Sequence, residues 1–243
     1  MLTWVFATAG LLVAGFVKGT TGLGFPLIAT PIVALVVDLR TTYALLVLPN
    51  MVMDILQILR REPPWALWRR LLPLFVATAV GVFLGTQIFL VISARAVYAW
   101  MAVMISLFLA SAWLRLDLRV SPKQERWMGP AAGFLGGLLN GIANVPGPPI
   151  VIYLLGLELE KRNFVKALAS ALFVTKASQM AAISQSGLVT GGILLASSGL
   201  TILALGGFWA GLQVQDRIPQ RAFLRCLYLL LACMAGYYAF RAL

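Results

Sequence analysis

The chain has 243 residues, 61% of them hydrophobic and 11% charged, and its mean hydropathy of +0.93 excludes a soluble domain with a mixed-charge surface. It contains no His and two Cys, so zinc, haem and triad chemistries that lean on imidazole are excluded, and no metal or cofactor is expected. The net charge of +11 sits in short segments between apolar runs, where the positive-inside rule accounts for it without a nucleic-acid partner.

Ten apolar segments are read in chain order, at about 2–18, 23–37, 41–59, 70–92, 95–114, 128–145, 148–157, 165–184, 190–214 and 221–240. The fold class is therefore an all-α polytopic membrane protein. Ala7-Thr8-Ala9 has the form of a signal-peptidase site, but no basic residue precedes it and it comes too early, so the first segment is kept as structure.

The first two segments are separated by Lys18-Gly19-Thr20-Thr21-Gly22-Leu23-Gly24-Phe25-Pro26, which cannot be continuous helix. In the third, Asn50, Asp54 and Gln57 share one face at helical spacing, and an Arg-rich stretch follows at Arg60, Arg61, Arg69 and Arg70. The fourth carries Gly81 and Gly85 at small-xxx-small spacing, read as close helix packing. Segments six and seven share about 31 residues, roughly 45 Å of helix where two full crossings need about 60 Å. They are broken at Asn140-Gly141-Ile142-Ala143-Asn144-Val145-Pro146-Gly147-Pro148-Pro149, and short or re-entrant helices are expected near both breaks. In the eighth, Lys176 lies too deep to snorkel and shares a face with Gln179. The ninth repeats the packing motif at Gly207 and Gly211, and the tenth holds Cys226 and Cys233, two turns apart on one face, read as buried packing and not a disulfide. Trp65, Trp68, Trp100, Trp113 and Trp127 fall near segment ends, as an interfacial belt requires.

The chain repeats once over its length. An offset of 122 places Gly15 and Gly19 on Gly137 and Gly141, Pro26 on Pro148, Arg40 on Arg162 and Gln57 on Gln179; after a four-residue slip Gly81 and Gly85 fall on Gly207 and Gly211. Residues 1–115 and 128–243 then form two five-segment repeats, and the odd number of crossings inverts the second. The linker 116–127 is cytoplasmic, both termini are external, and the protein lies in the cell membrane. With the Arg60–Arg70 loop inside, only Arg40, Arg95 and Arg241 fall outside.

Two broken helices at matched positions point to a midplane site, because a restarting helix presents unpaired N–H groups and a positive dipole end to an anion. The candidate binding residues are Lys18, Gly19, Gly22, Gly24, Asn50, Gln57, Asn140, Gly141, Asn144, Gly147, Lys176 and Gln179. Lys18 and Lys176 serve as counter-charges, the amides orient the ligand, and Asp54 is the proton-coupling group. The competing structural reading is an ion pair between Asp54 and Lys176.

The break motifs, with Gly15-Phe16-Val17-Lys18-Gly19 echoed by Gly137-Leu138-Leu139-Asn140-Gly141, resemble the TauE/SafE family of sulfite and organosulfonate exporters and permeases, across essentially the whole chain. Where the family pattern carries consecutive glycines, this chain reads Gly22-Leu23-Gly24-Phe25-Pro26. The resemblance implies transport of small sulfur-containing or carboxylate anions, such as sulfite, thiosulfate, sulfoacetate or taurine-related sulfonates, coupled to protons. The expected partners are a small anion, protons and membrane lipid, and a homodimer and a monomer are both open. A secondary transporter is the leading expectation. A passive anion channel or a carboxylate transporter is the alternative. An enzyme is not expected, since there is no His, no G-x-S-x-G and one intramembrane acid.

Overall fold

The computed structural model describes residues 2–60, 65–93, 119–144 and 148–217, with scattered positions between 95 and 106 and between 219 and 240. These are helical or connecting residues, and no strand occurs among them. The helices with described bounds are α1 (Leu2–Thr21), α2 (Phe25–Val33), α3 (Leu39–Leu59), α4 (Trp65–Val91), α5 (Pro122–Ala143), α6 (Pro148–Gly156), α7 (Lys161–Gln185) and α8 (Gly191–Arg217). Most bounds lie close to the expected segments. The fifth and tenth segments fall largely outside the described residues, as do Gly147, Trp113, Cys226 and Cys233.

Three helices among the described residues, 39–59, 65–91 and 191–215, are long and apolar enough to cross a membrane. The two short helices have nine residues each, about 14 Å at 1.5 Å per residue, too short to span about 30 Å of hydrocarbon. Each follows a break, as the segment lengths require.

Helix starts follow local chemistry. Asp38 caps α3, its carboxylate accepting from the Arg40 and Thr41 N–H groups and from the Thr41 hydroxyl. Ser121 and Gln124 form a capping box at α5, a Ser-Pro-x-Gln signal that hydropathy reading passes over. Within α3, Pro49 has no N–H to give the Leu45 carbonyl, and the Ser197 hydroxyl of α8 donates to that oxygen at 2.6 Å.

Glycine governs the packing. In α1 against α8, Gly15 faces the Ala204 carbonyl, Gly19 that of Phe208, Gly207 that of Leu12 and Gly211 that of Phe16, each so closely that a Cβ would collide. In α5 against α4, Gly137 faces the carbonyl of Thr78, Gly141 of Val82, Gly81 of Phe134 and Gly85 of Leu138. The second set is the first moved by 122 on one helix and 126 on the other, contact for contact. Two helix pairs are thus locked backbone to backbone, as the small-xxx-small motifs foretell. Between them run α3, packed on α7 and α8, and α7, packed on α3 and α4. Ala44 and Val47 near the start of α3 cluster with Ile183 near the end of α7, so these two central helices run antiparallel.

Candidate functional site

The chain folds its intramembrane polar side chains into the space between the two glycine-locked pairs. Lys18, Asn50, Asp54, Gln57, Asn140, Asn144, Lys176 and Gln179 are all buried. They come from α1, α3, the end of α5 and α7. Spacings of 50, 54 and 57 and of 176 and 179 turn these side chains to the inner faces of the two central helices.

The ion pair in this cluster joins Lys18 Nζ to Asp54 Oδ1, and not Asp54 to Lys176. Lys176 Nζ instead donates to Asn144 Oδ1 and, at 2.8 Å, to Gln179 Oε1. The structural alternative drawn from the sequence is therefore replaced by a Lys18–Asp54 pair and an amide-held Lys176. At the offset of 122, Lys18 and Asp54 align with Asn140 and Lys176, so each aligned stretch carries one ammonium, at opposite members of the aligned pair.

The helix breaks abut this cluster. Gly22 (φ 78°) and Asn144 (φ 54°) are counterparts at an offset of 122, and both take the left-handed conformation that stops a helix. Their N–H groups donate to the Lys18 and Asn140 carbonyls, both at 2.8 Å. A Cβ at Gly22 would stand 3.6 Å from Gln57 Nε2 and 3.7 Å from Val165 Cγ1, so the first break presses on the Gln57 amide. At the second, Asn144 Nδ2 donates to Thr30 Oγ1 of α2 at 3.4 Å, which ties the two broken regions together. Gly24, with φ 99°, precedes α2, whose first turn has no side-chain cap. Thr30 carried no signal in the sequence, since a lone Thr in an apolar helix is ordinary.

Not every candidate faces the cluster. Gly19 and Gly141 lie against α8 and α4, where the missing Cβ serves helix contact. Asn50 keeps its place on the cluster face of α3, its Nδ2 donating to the Leu46 carbonyl at 3.0 Å.

Within the cluster, Asp54 Oδ2, both amide atoms of Gln57, both of Asn140 and Gln179 Nε2 are buried with no hydrogen-bond partner among the described residues. Each such atom costs about 1–3 kcal/mol if left so, and they are concentrated around two lysines.

A cavity of about 410 Å³ reaches the cluster at Gln57. It is lined by Arg60, Lys161, Arg162 and Lys166 with Glu160, Val165 and Gln215. Lys161 Nζ donates to the Gln215 carbonyl at 2.6 Å, and Gln215 Nε2 is another buried donor without a partner. A second cavity, of about 400 Å³, is lined by Asp38, Leu39, Arg40, Phe89, Ile92, Ser93 and Val97. The basic residues of the first cavity were legible as topological charge; their convergence on Gln57 was not.

No curated protein and no solved structure matched the chain. Residues 7–238 match the family described as Sulfite exporter TauE/SafE, a family of membrane transporters. With apolar helices of spanning length and a charged cluster sealed between glycine-locked helix pairs, the chain is an integral membrane protein belonging to the sulfite exporter TauE/SafE family.

Proposed function

We propose that the protein is a secondary transporter of a small anion, in the first place a sulfur oxyanion or short organosulfonate such as sulfite, thiosulfate or sulfoacetate. The observation that carries this reading is the set of partnerless buried amide atoms around Lys18, Asp54 and Lys176. Two ammonium groups and one carboxylate leave a formal excess of one positive charge (2 − 1 = 1), which a bound anion neutralises. The amides of Gln57, Asn140 and Gln179 then donate to its oxygens, with the first turn of α2 behind Gly24 adding backbone N–H groups.

Asp54 is the coupling group in this reading. A proton on its carboxyl dissolves the ion pair with Lys18 and releases a second ammonium for the anion, so proton and anion favour each other's binding by a coupling free energy that is reciprocal. The ten segments are arranged as two inverted repeats, a reading supported by the glycine contacts that map from one helix pair to the other. Rocking of one locked pair against the other around the fixed cluster exposes it to each side in turn. The mouth lined by Arg60, Lys161 and Arg162 is cytoplasmic, as the excess of positive charge there favours.

The test is uptake of labelled sulfite, thiosulfate and a short sulfonate into proteoliposomes with and without an imposed pH gradient, comparing wild type with Lys176→Gln. Saturable, gradient-driven uptake of one anion that collapses in the variant is expected. Flux that stays linear at high substrate and never accumulates the anion against a gradient would replace the transporter with a passive channel. Uptake of only carboxylates would move the substrate class, and unchanged uptake in a folded Lys176→Gln protein would remove the site assignment.

A further inference from the structure

The two cavities are counterparts. Under the same offsets of 122 and 126, Glu160, Lys161, Arg162 and Gln215 of the first fall on Asp38, Leu39, Arg40 and Phe89 of the second. What lies beneath them differs. At the first mouth Val165 and Gln215 line the cavity together with Gln57, whose amide atoms stay buried beneath it. At the second, the positions equivalent to Val165 and Gln215 are Tyr43 and Phe89, whose rings stack with centroids 4.2 Å apart and planes at 8°. Both rings are buried, at 1% and 2% exposure.

Tyr43 is in line with the cluster. On α3 it shares a face with Asn50, Asp54 and Gln57, two turns or about 10 Å from Asn50 along the helix. The face therefore runs from the Arg40 mouth, past the aromatic stack, through the charged centre, to Gln57 and the basic mouth. Phe89 belongs to α4, which Gly81 and Gly85 bind to α5. The stack thus bridges a central helix and one locked pair, at a boundary where one can move against the other.

We propose that Tyr43 and Phe89 form the gate of a second mouth of the transport pathway, and that the cavity at Asp38, Arg40 and Ser93 is where the anion passes on that side. This rests on the transporter reading. One cavity ends on the Gln57 amide group's helix face while its counterpart ends on an aromatic stack, and this asymmetry is what two alternate states of one pathway would show. Stacking of this kind is a single weak contact between two helices, which a shift of one helix against the other can undo. Val165 and Gln215 cannot stack, so the opposite mouth needs a different closure. Arg40 donates to the Leu90 carbonyl at 2.6 Å, holding the outer rim to the end of α4.

The test uses a full-length Cys226→Ser/Cys233→Ser background in vesicles, with the relevant side identified by impermeant maleimide labelling of Asp38→Cys. In that background Asn50→Cys reports access to the centre from the Asp38 side without any need for transport. Slow labelling is expected with the rings in place and in Tyr43→Phe, and about tenfold faster labelling in Tyr43→Ala/Phe89→Ala, the loss of one stack's worth of sealing. Separately, Tyr43→Cys/Phe89→Cys bridged by dibromobimane, with excess reagent washed out, should stop sulfite uptake that the unbridged protein performs. Equal labelling rates with and without the rings, or undiminished uptake in the bridged protein, overturns the gate while leaving the transporter reading intact. Absence of uptake of sulfite, thiosulfate, the short sulfonate and carboxylates in the unbridged parent removes the transporter reading, and the labelling arm still decides whether the rings seal the centre.

Discussion

Lys18 and Asp54, thirty-six positions apart, pair across α1 and α3 in the fully buried centre of the protein. Each is the only charged residue that its helix brings to the cluster. Breaking a buried pair by removing one partner costs about 3–5 kcal/mol, because the other charge is left uncompensated. Lys18→Met should therefore lower the melting temperature in detergent markedly, and Lys18→Met/Asp54→Leu should recover most of the loss without recovering transport. Thermal unfolding followed by fluorescence checks this; a single variant as stable as wild type would mean that the pair is not formed.

The glycine interfaces make a sharper structural prediction. A side chain at Gly207 would run into the Leu12 carbonyl, and one at Gly81 into that of Phe134, whereas Gly199 has nothing within 4 Å of a Cβ. Gly207→Val should destabilise by about 3 kcal/mol or more through overpacking. Gly199→Ala should be neutral or stabilising by up to about 1 kcal/mol from helix propensity. Melting temperatures of the two variants, measured side by side, decide it.

Arg60 and Arg162 line the basic mouth, and on the proposed transporter reading they attract the anion through the field they set up. Arg60→Gln/Arg162→Gln should raise KM for the transported anion by about tenfold at low ionic strength, with Vmax little changed. The difference should shrink in 1 M salt, where the Debye length is about 3 Å. A Vmax loss that ignores salt would place these residues in the transport step instead.

Asp38 gives an acid-sensitive element outside the spans. The Thr41 hydroxyl, then the Thr41 and Arg40 N–H groups, hold its carboxyl below the usual carboxylate range. A group with its folded pKa depressed stabilises above its unfolded pKa, near 3.9, and loses that contribution as pH falls through the folded value. Asp38→Ala should thus cost about 1 kcal/mol of helix capping at pH 7 and progressively less below about pH 4. Melting temperatures across pH 3–7 test the convergence.

Much of this site was legible in the sequence, and the reasons are physical. An uncharged run of spanning length has no stable place but a bilayer, so the membrane class follows from composition. The breaks holding Gly22 and Asn144 could be found because Gly and Pro interrupt apolar runs there, and Gly15, Gly19 and Pro26 falling on Gly137, Gly141 and Pro148 made the self-match visible. Asp54, Lys176, Gln57 and Gln179 stood out as costly side chains on helical faces. The small-xxx-small pairs announced close contact, though not with which helix.

Only the tertiary structure decided the partners. A buried ammonium is satisfied by whichever oxygen the packing brings within reach, and that depends on helix positions that periodicity does not encode. Hence Lys18 takes Asp54 while Lys176 takes Asn144 and Gln179. The same holds for Tyr43 and Phe89, two ordinary aromatics in apolar runs until folding stacks them opposite the positions of Val165 and Gln215. Composition and spacing along the chain were enough for the membrane class, for most of the described helices and for the polar residues that a membrane makes expensive. The fold determined which of them meet, because contacts between helices are set by close packing in three dimensions, not by spacing along one.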